Sequence, residues 1–204
     1  MSRPYHKYVF DAENRKFVGD FNEMYLQEEQ QQFDSWDQEN MLHPARQFAL
    51  VLINRYNFNS ILDYGCGKGH FCSHLKKLNN EITGVDISSV AIKKAEARFP
   101  EIKFLVSDDK KFIEEYTSHH DLVVAMEVLS YIENWRALIE HFSGVTERLL
   151  LTLYIPENPI GFLKSFDDLK NELNRFFIIE TEILIDREQI LIIAKSKNDE
   201  RRHS

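Results

Sequence analysis

Between residues 60 and 195, short apolar runs alternate with segments of helical periodicity. Ser60–Tyr64, Ile82–Asp86, Lys103–Val106, Leu122–Ala125 and Arg148–Leu153 are apolar and of strand length. Phe71, Leu75 and Leu78 fall at helical spacing after the first run and predict a helix over Lys68–Leu78. Ser88-Ser89 supplies N-capping hydroxyls for a helix whose Ala91, Ile92, Ala95 and Phe99 share one face, with Pro100 just beyond its end. Shorter helices are predicted over Lys110–Tyr116 and near Trp135–Phe142. Strands that alternate with helices in this way form a parallel sheet with right-handed crossovers. The pattern then changes. Tyr154 to Phe162 contains two prolines and a glycine, which argue against regular structure, and it leaves the carboxyl end of the fifth strand, so it should overhang a cleft there. A helix over Asp167–Leu173 follows. Phe176–Ile185 and Gln189–Lys195 then read as two strands joined at Asp186-Arg187-Glu188, an antiparallel hairpin.

Upstream of the alternation, Phe48, Val51, Leu52 and Tyr56 predict a helix over Leu42–Tyr56, entered through His43-Pro44. Phe21 to Asn40 is glutamine-rich and acidic but carries Phe21, Met24, Tyr25, Leu26, Phe33 and Trp36. A disordered segment rarely holds so many large apolar side chains, so short helices with a loop are expected. Met1 to Asp20 bears scattered aromatics and no assignable element. With no repeat and no second domain, the division is an N-terminal cap and first helix (1–58), a core in the same domain (59–197) and a flexible tail (198–204).

Composition narrows the function. A chain of 204 residues is long enough for one proper core, and its net charge of −8 disfavours a broad phosphate-binding surface, hence nucleic acid as a partner. The two cysteines, Cys66 and Cys72, lie in and just after a glycine turn; they form no disulfide framework and lack the further ligands a metal would need. No apolar leader or membrane-spanning run is present, so a cytoplasmic protein without membrane attachment is expected.

The turn itself carries the chemistry. Leu62-Asp63-Tyr64-Gly65-Cys66-Gly67-Lys68-Gly69-His70 ends a strand in an acid and reverses through three alternate glycines, which suit positive φ and leave the backbone open to a ligand. A dinucleotide fingerprint requires a third glycine where His70 stands, and a phosphate loop requires a Lys-Ser/Thr pair that is missing. Asp86 ends the second strand near the spacing of about 20 residues expected of a ribose-binding acid. Ser107-Asp108-Asp109 follows the third strand and Met126-Glu127 the fourth. The set resembles the motifs of the Rossmann-like, class I S-adenosylmethionine (SAM)-dependent methyltransferases, over roughly Asn59 to Lys195. Tyr64 departs from it, where a small aliphatic residue is usual; it should pack behind the turn.

The resemblance implies an α/β fold: a Rossmann-like, seven-stranded, mostly parallel sheet with helices on both faces, an antiparallel C-terminal hairpin and an N-terminal helical cap. It implies SAM as cofactor, with S-adenosylhomocysteine (SAH) as product. Asp63, Gly65, Cys66, Gly67 and Gly69 would flank the methionine end, Asp86 and Ile87 the ribose, and Ser107, Asp108 and Asp109 the adenine. Met126 and Glu127 would lie beside the sulfonium, and Tyr25 and Trp36 of the cap would close over it. Methyl transfer is largely a matter of positioning, with a base for alcohols or protonated amines. Glu127, Tyr131 and His43 are the candidate bases; His70 is another, or simply starts the helix. No metal is expected. The acceptor is expected to be a small molecule methylated on O or N; the cap and the Tyr154–Gly161 loop are similar to those of bacterial enzymes acting on sugars and nucleotide sugars in surface-polysaccharide pathways. A monomer or homodimer is expected. A methyltransferase acting on protein or RNA, a non-catalytic SAM-binding module and an NAD-dependent oxidoreductase are the competing readings.

Overall fold

A computed structural model describes residues 4–185 and 187–198. Seven strands form one sheet: β3 (Ser60–Tyr64), β4 (Glu81–Asp86), β5 (Lys103–Val106), β6 (His120–Met126), β7 (Thr146–Tyr154), β8 (Phe177–Ile185) and β9 (Gln189–Ser196). Their order is β5-β4-β3-β6-β7-β9-β8; the first five are parallel, and β9 runs antiparallel to both neighbours. The chain winds outward from β3 to β5, then returns to lay β6 on the other side of β3. That reversal opens a crevice at the carboxyl ends of β3 and β6, where sheets of this kind bind ligands.

Helices cover both faces. On one, α6 (Asp109–Glu115), α7 (Trp135–Val145) and α8 (Phe166–Phe176) pack through Phe112, Trp135, Leu138, Phe142, Leu169 and Leu173. On the other, α3 (Pro44–Ile53), α4 (His70–Leu75) and α5 (Ser89–Arg98) pack through Ala49, Leu52, Phe71, Leu75, Ile92 and Ala95. The period-two geometry of a strand divides neighbours between these layers: Leu149, Leu151 and Leu153 face the first, Leu150 the second. Tyr64 is buried against Phe112 and Phe142, behind the glycine turn.

Two predicted helices differ in detail. α4 stops at Leu75, because Lys76 turns extended, and Leu78 stands fully exposed. α3 is confined to Pro44–Ile53 and buries Ala45, Ala49, Leu52 and Ile53; Phe48 and Val51 face outward. Small alanines bring this helix close to the sheet, and that contact outweighs the larger side chains on the opposite face.

The N-terminal segment forms α1 (His6–Val9), a short hairpin of β1 (Phe10–Asp11) and β2 (Lys16–Phe17), and α2 (Phe21–Gln31), followed by a single 3-10 turn at Ser35–Asp37. Its Tyr5, Val9, Met24 and Tyr25 pack with Ala91 of α5. Asp186, within the predicted hairpin turn, and residues 199–204 of the predicted tail lie outside the described residues. No helix among the described residues is long and apolar enough to cross a membrane.

Candidate active site

A cavity of about 1110 Å³ occupies the crevice. Asp63, Gly65, Cys66, Asp86, Ile87, Ser107, Asp109, Met126 and Glu127 line it from the strand ends, and Tyr25, Trp36, His43 and Tyr131 from the cap side. Most of the residues singled out from sequence are therefore brought to one space. Gly67, Gly69, Asp108 and His70 are not among those lining it.

Each of these four has a physical reason. Gly67 has φ +54, and a Cβ there would strike the Gln38 side-chain amide of the cap. Gly69 has φ +76, and a Cβ there would meet the Phe104 ring at 2.7 Å. These glycines permit positive φ and close packing of the chain on itself. Asp108 is the N-cap of α6: its carboxylate accepts from the Lys111 N–H at 2.8 Å, leaving Asp109 to face the cavity. His70 begins α4, and its Nε2 lies 3.3 Å from Arg98 Nη1 and 3.5 Å from Glu39.

The turn offers no free donor either. The N–H groups of Gly65 and Cys66 donate to the Val85 carbonyl, that of Gly67 to Asp86 Oδ2, that of Lys68 to Gln38 Oε1 and that of Gly69 to the Cys66 carbonyl.

The carboxylates differ in environment. Asp86 accepts from Gly67 N and Ser88 N, both at 2.8 Å; burial raises it, opposed by these bonds. Asp63 is 3% exposed and accepts from the Cys72 thiol at 3.1 Å; burial pushes it up to about 7. The Cys66 thiol is pushed up by burial to about 11. Glu127 has φ +58, a left-handed conformation that a non-glycine residue adopts at a cost of about 1–3 kcal/mol. The bend directs its carboxylate to the Tyr154 N–H at 2.6 Å and Gln189 Nε2 at 2.7 Å. Burial raises its pKa, while these bonds and the charge of Arg46 lower it. Burial also pushes the Tyr131 hydroxyl well up.

Sequence reasoning missed three residues. Arg46 is the one Lys or Arg lining the cavity among the described residues. It donates to the carbonyls of Asp37 at 2.7 Å, Asn40 at 2.8 Å and Trp36 at 3.0 Å. Gln38 bridges the Tyr25 hydroxyl and the Lys68 N–H. Gln189 reaches Glu127 from β9. Only Arg46 had a local signal, a charge in the first turn of an otherwise apolar helix. Among the described residues, no group of three or more His, Cys, Asp or Glu could hold a metal ion.

This architecture, an acid at each of two adjacent strand ends beside a switch point and under a cap, defines a class. A methyltransferase domain model matches residues 33–154, and the chain belongs to that family. An O-methyltransferase of ubiquinone biosynthesis from Albidiferax ferrireducens is 25% identical over 108 residues, 48% of this chain and 43% of that protein. The chain spans less than half the length of the curated relatives it matches. Among solved structures, SAM-bound magnesium protoporphyrin IX methyltransferase from Synechocystis superimposes with a TM-score of 0.61 at 20% identity, over 79% of this chain and 80% of that one. PH0226 from Pyrococcus horikoshii does so with a TM-score of 0.65 at 15% identity, over 97% and 100%. These two likenesses are of fold.

Proposed function

We propose that this chain binds SAM and transfers its methyl group to an oxygen or nitrogen of a small molecule. The observation that carries the reading is the opening of Asp63, Asp86 and Arg46 into one cavity at the switch point. Their chemistry fits the cofactor. Asp63 is a buried carboxyl whose ionised form calls for a cation, which an amino-acid ammonium supplies; Arg46 is the complement of the accompanying carboxylate. Asp86 retains a lone pair on each oxygen after its two backbone bonds and suits a vicinal diol. Asp109 and Ser107 form the wall beyond it.

SAM supplies a methyl group already activated on a positive sulfur. The work of this chain is to exclude water, orient the acceptor and take up its proton. Glu127 suits proton uptake, because burial raises the basicity of its carboxylate and two donors fix its direction. Tyr131 and His43 line the same space and orient the acceptor.

The 1–58 cap works with the 59–197 core as one unit and covers the site, which suits a small acceptor better than a protein or RNA. The relatives of ubiquinone biosynthesis favour oxygen over nitrogen as the atom methylated. The similarity of the cap and the Tyr154–Gly161 loop to sugar-pathway enzymes puts sugars and nucleotide sugars among the acceptors to be tried.

The test is calorimetric titration with SAM, SAH and NAD. SAM and SAH should bind at micromolar concentration, NAD should not, and Asp86→Ala should weaken SAH by about tenfold or more, roughly 1.4 kcal/mol. Binding of NAD alone, or an Asp86→Ala protein with unchanged affinity, overturns the reading.

A further inference from the structure

The cofactor reading leaves one end of the cavity without a role. There, five rings of the N-terminal segment, Tyr5, Phe10, Phe17, Phe21 and Trp36, gather about Tyr131, and all six line the cavity. The Tyr131 ring centroid lies 5.1 Å from Trp36, 5.8 Å from Phe10, 6.0 Å from Phe21 and 6.2 Å from Phe17, the last pair stacked within 20°. Phe162, from the Pro-rich loop, approaches Phe17 edge-on at 5.3 Å. Tyr5 is buried, but the other rings are only partly covered by the folded chain. Apolar area left open to water forgoes about 25 cal/mol per Å², and such faces are best covered by another flat ring, stacked or edge-on.

Backbone strain holds this wall in position. Trp36 and Asp37 have φ +63 and +51, a left-handed pair that costs about 1–3 kcal/mol per residue. Arg46, bonded to both carbonyls, holds that turn. A core contact alone has no need of it, since Trp36 is not buried; the turn presents the indole to the cavity.

Charge decides between ring classes. Asp37, Glu133 and Glu188 are among the residues lining the cavity, and Arg46, which holds the Trp36–Asp37 turn through its carbonyls, is the only described Lys or Arg in the whole lining. A diphosphate would meet a lining in which carboxylates outnumber the single guanidinium, itself already bonded to three backbone carbonyls. A polyhydroxylated ring would leave many hydroxyls without partners against phenylalanine faces.

We infer that the acceptor is a flat, uncharged, conjugated ring bearing a hydroxyl group, a phenol, held among Trp36, Phe17 and Tyr131, rather than a nucleotide sugar. The ring's role as acceptor rests on the methyl-transfer reading; the ring site itself does not.

The test is calorimetry with 2-naphthol, cyclohexanol and UDP-glucose, on the protein alone and with SAH. 2-Naphthol should bind about tenfold or more tighter than either of the others. Trp36→Leu and Phe17→Ala should each weaken it about fivefold or more, and Trp36→Phe should keep most of the affinity, with near-ultraviolet circular dichroism reporting that each variant is folded. UDP-glucose or cyclohexanol binding as well as 2-naphthol, or affinity unmoved by both substitutions, overturns the proposal. If 2-naphthol follows the expected pattern and SAH does not bind, the ring site stands and the methyltransferase reading falls. If SAH binds and 2-naphthol does not, the reverse holds.

Discussion

Gln189 donates its amide N–H to Glu127 Oε1 at 2.7 Å, joining the last strand to the end of the fourth strand of the parallel set. A donor to a buried carboxylate favours its ionised form, and such a bond to a charged group is worth about 1.5–3 kcal/mol. Gln189→Leu should therefore raise the Glu127 titration midpoint. Carbon-13 NMR of labelled glutamate carboxyls reads this directly; a midpoint that does not move would show that Gln189 has no part in setting the base.

Asp63 gives a pH dependence of defined sign. Its folded value of about 7 lies above the ordinary 3.8, so the folded protein binds this proton more tightly than the unfolded chain. The associated stability is complete below about pH 4 and is lost as pH rises through about 7, at most about 4 kcal/mol. Asp63→Asn should flatten that fall in urea denaturation at successive pH values. Affinity for SAH should run the other way, rising from about pH 6 to about pH 8 as the carboxylate ionises to face an ammonium, and Asp63→Asn should remove the rise.

Glu28 anchors the cap. It is 5% exposed, and its oxygens meet Lys68 Nζ at 3.0 Å, Lys94 Nζ at 3.1 Å and the Ser35 N–H at 2.9 Å. Lys68 keeps Asp34 at 2.7 Å and Lys94 keeps the Tyr25 carbonyl at 2.6 Å when Glu28 is neutralised, so Glu28→Gln should cost about 1–2 kcal/mol in chemical denaturation. Glu39→Gln breaks the pair with Arg98, whose partners are 57% and 55% exposed, and should cost no more than about 0.5 kcal/mol. Equal losses would mean that Glu28 is not the anchor.

The two inner glycines should respond differently to alanine. Both incur about 1–2 kcal/mol of left-handed strain. At Gly69 the new methyl also meets the buried Phe104 ring and the Ala95 methyl at 3.2 Å, adding about 1–3 kcal/mol of overpacking. At Gly67 it meets only the end of Gln38, which swings away. Gly69→Ala should be the less stable by melting, whereas Gly67→Ala should lose the Gln38 link to Lys68 N and become easier to cleave within residues 21–40 under limited proteolysis. A Gly67→Ala cap as resistant as the parent's would mean that Gln38 does not hold it.

Much of this was legible beforehand. The acids at the ends of β3 and β4 could be read because each closes an apolar run and precedes turn or capping residues. The helix α3 was legible from the 3,4 spacing of Phe48, Val51, Leu52 and Tyr56, but that spacing allows two phases, and closeness to the sheet buries Leu52 with Ala45 and Ala49 while Phe48 and Val51 face outward. Leu78 looked like a core position only so long as the helix was carried past Lys76. Gln38 and Gln189 could not be read at all. A glutamine that bonds a backbone or side-chain group 30 or 62 residues away leaves no periodic mark.

The order of the last strands has a consequence for synthesis. β8 is made before β9, yet β9 lies between β7 and β8, with Ile190 to Ala194 fully buried. A nascent chain that has reached Ile185 therefore has an outermost strand with nowhere to dock. Until Gln189–Ser196 clears the ribosome, β7 exposes its pairing edge and the Gln189 side of Glu127 is unmade. Truncation before residue 189 would remove the interior of the sheet rather than its margin, and one wall of the active site would go with it.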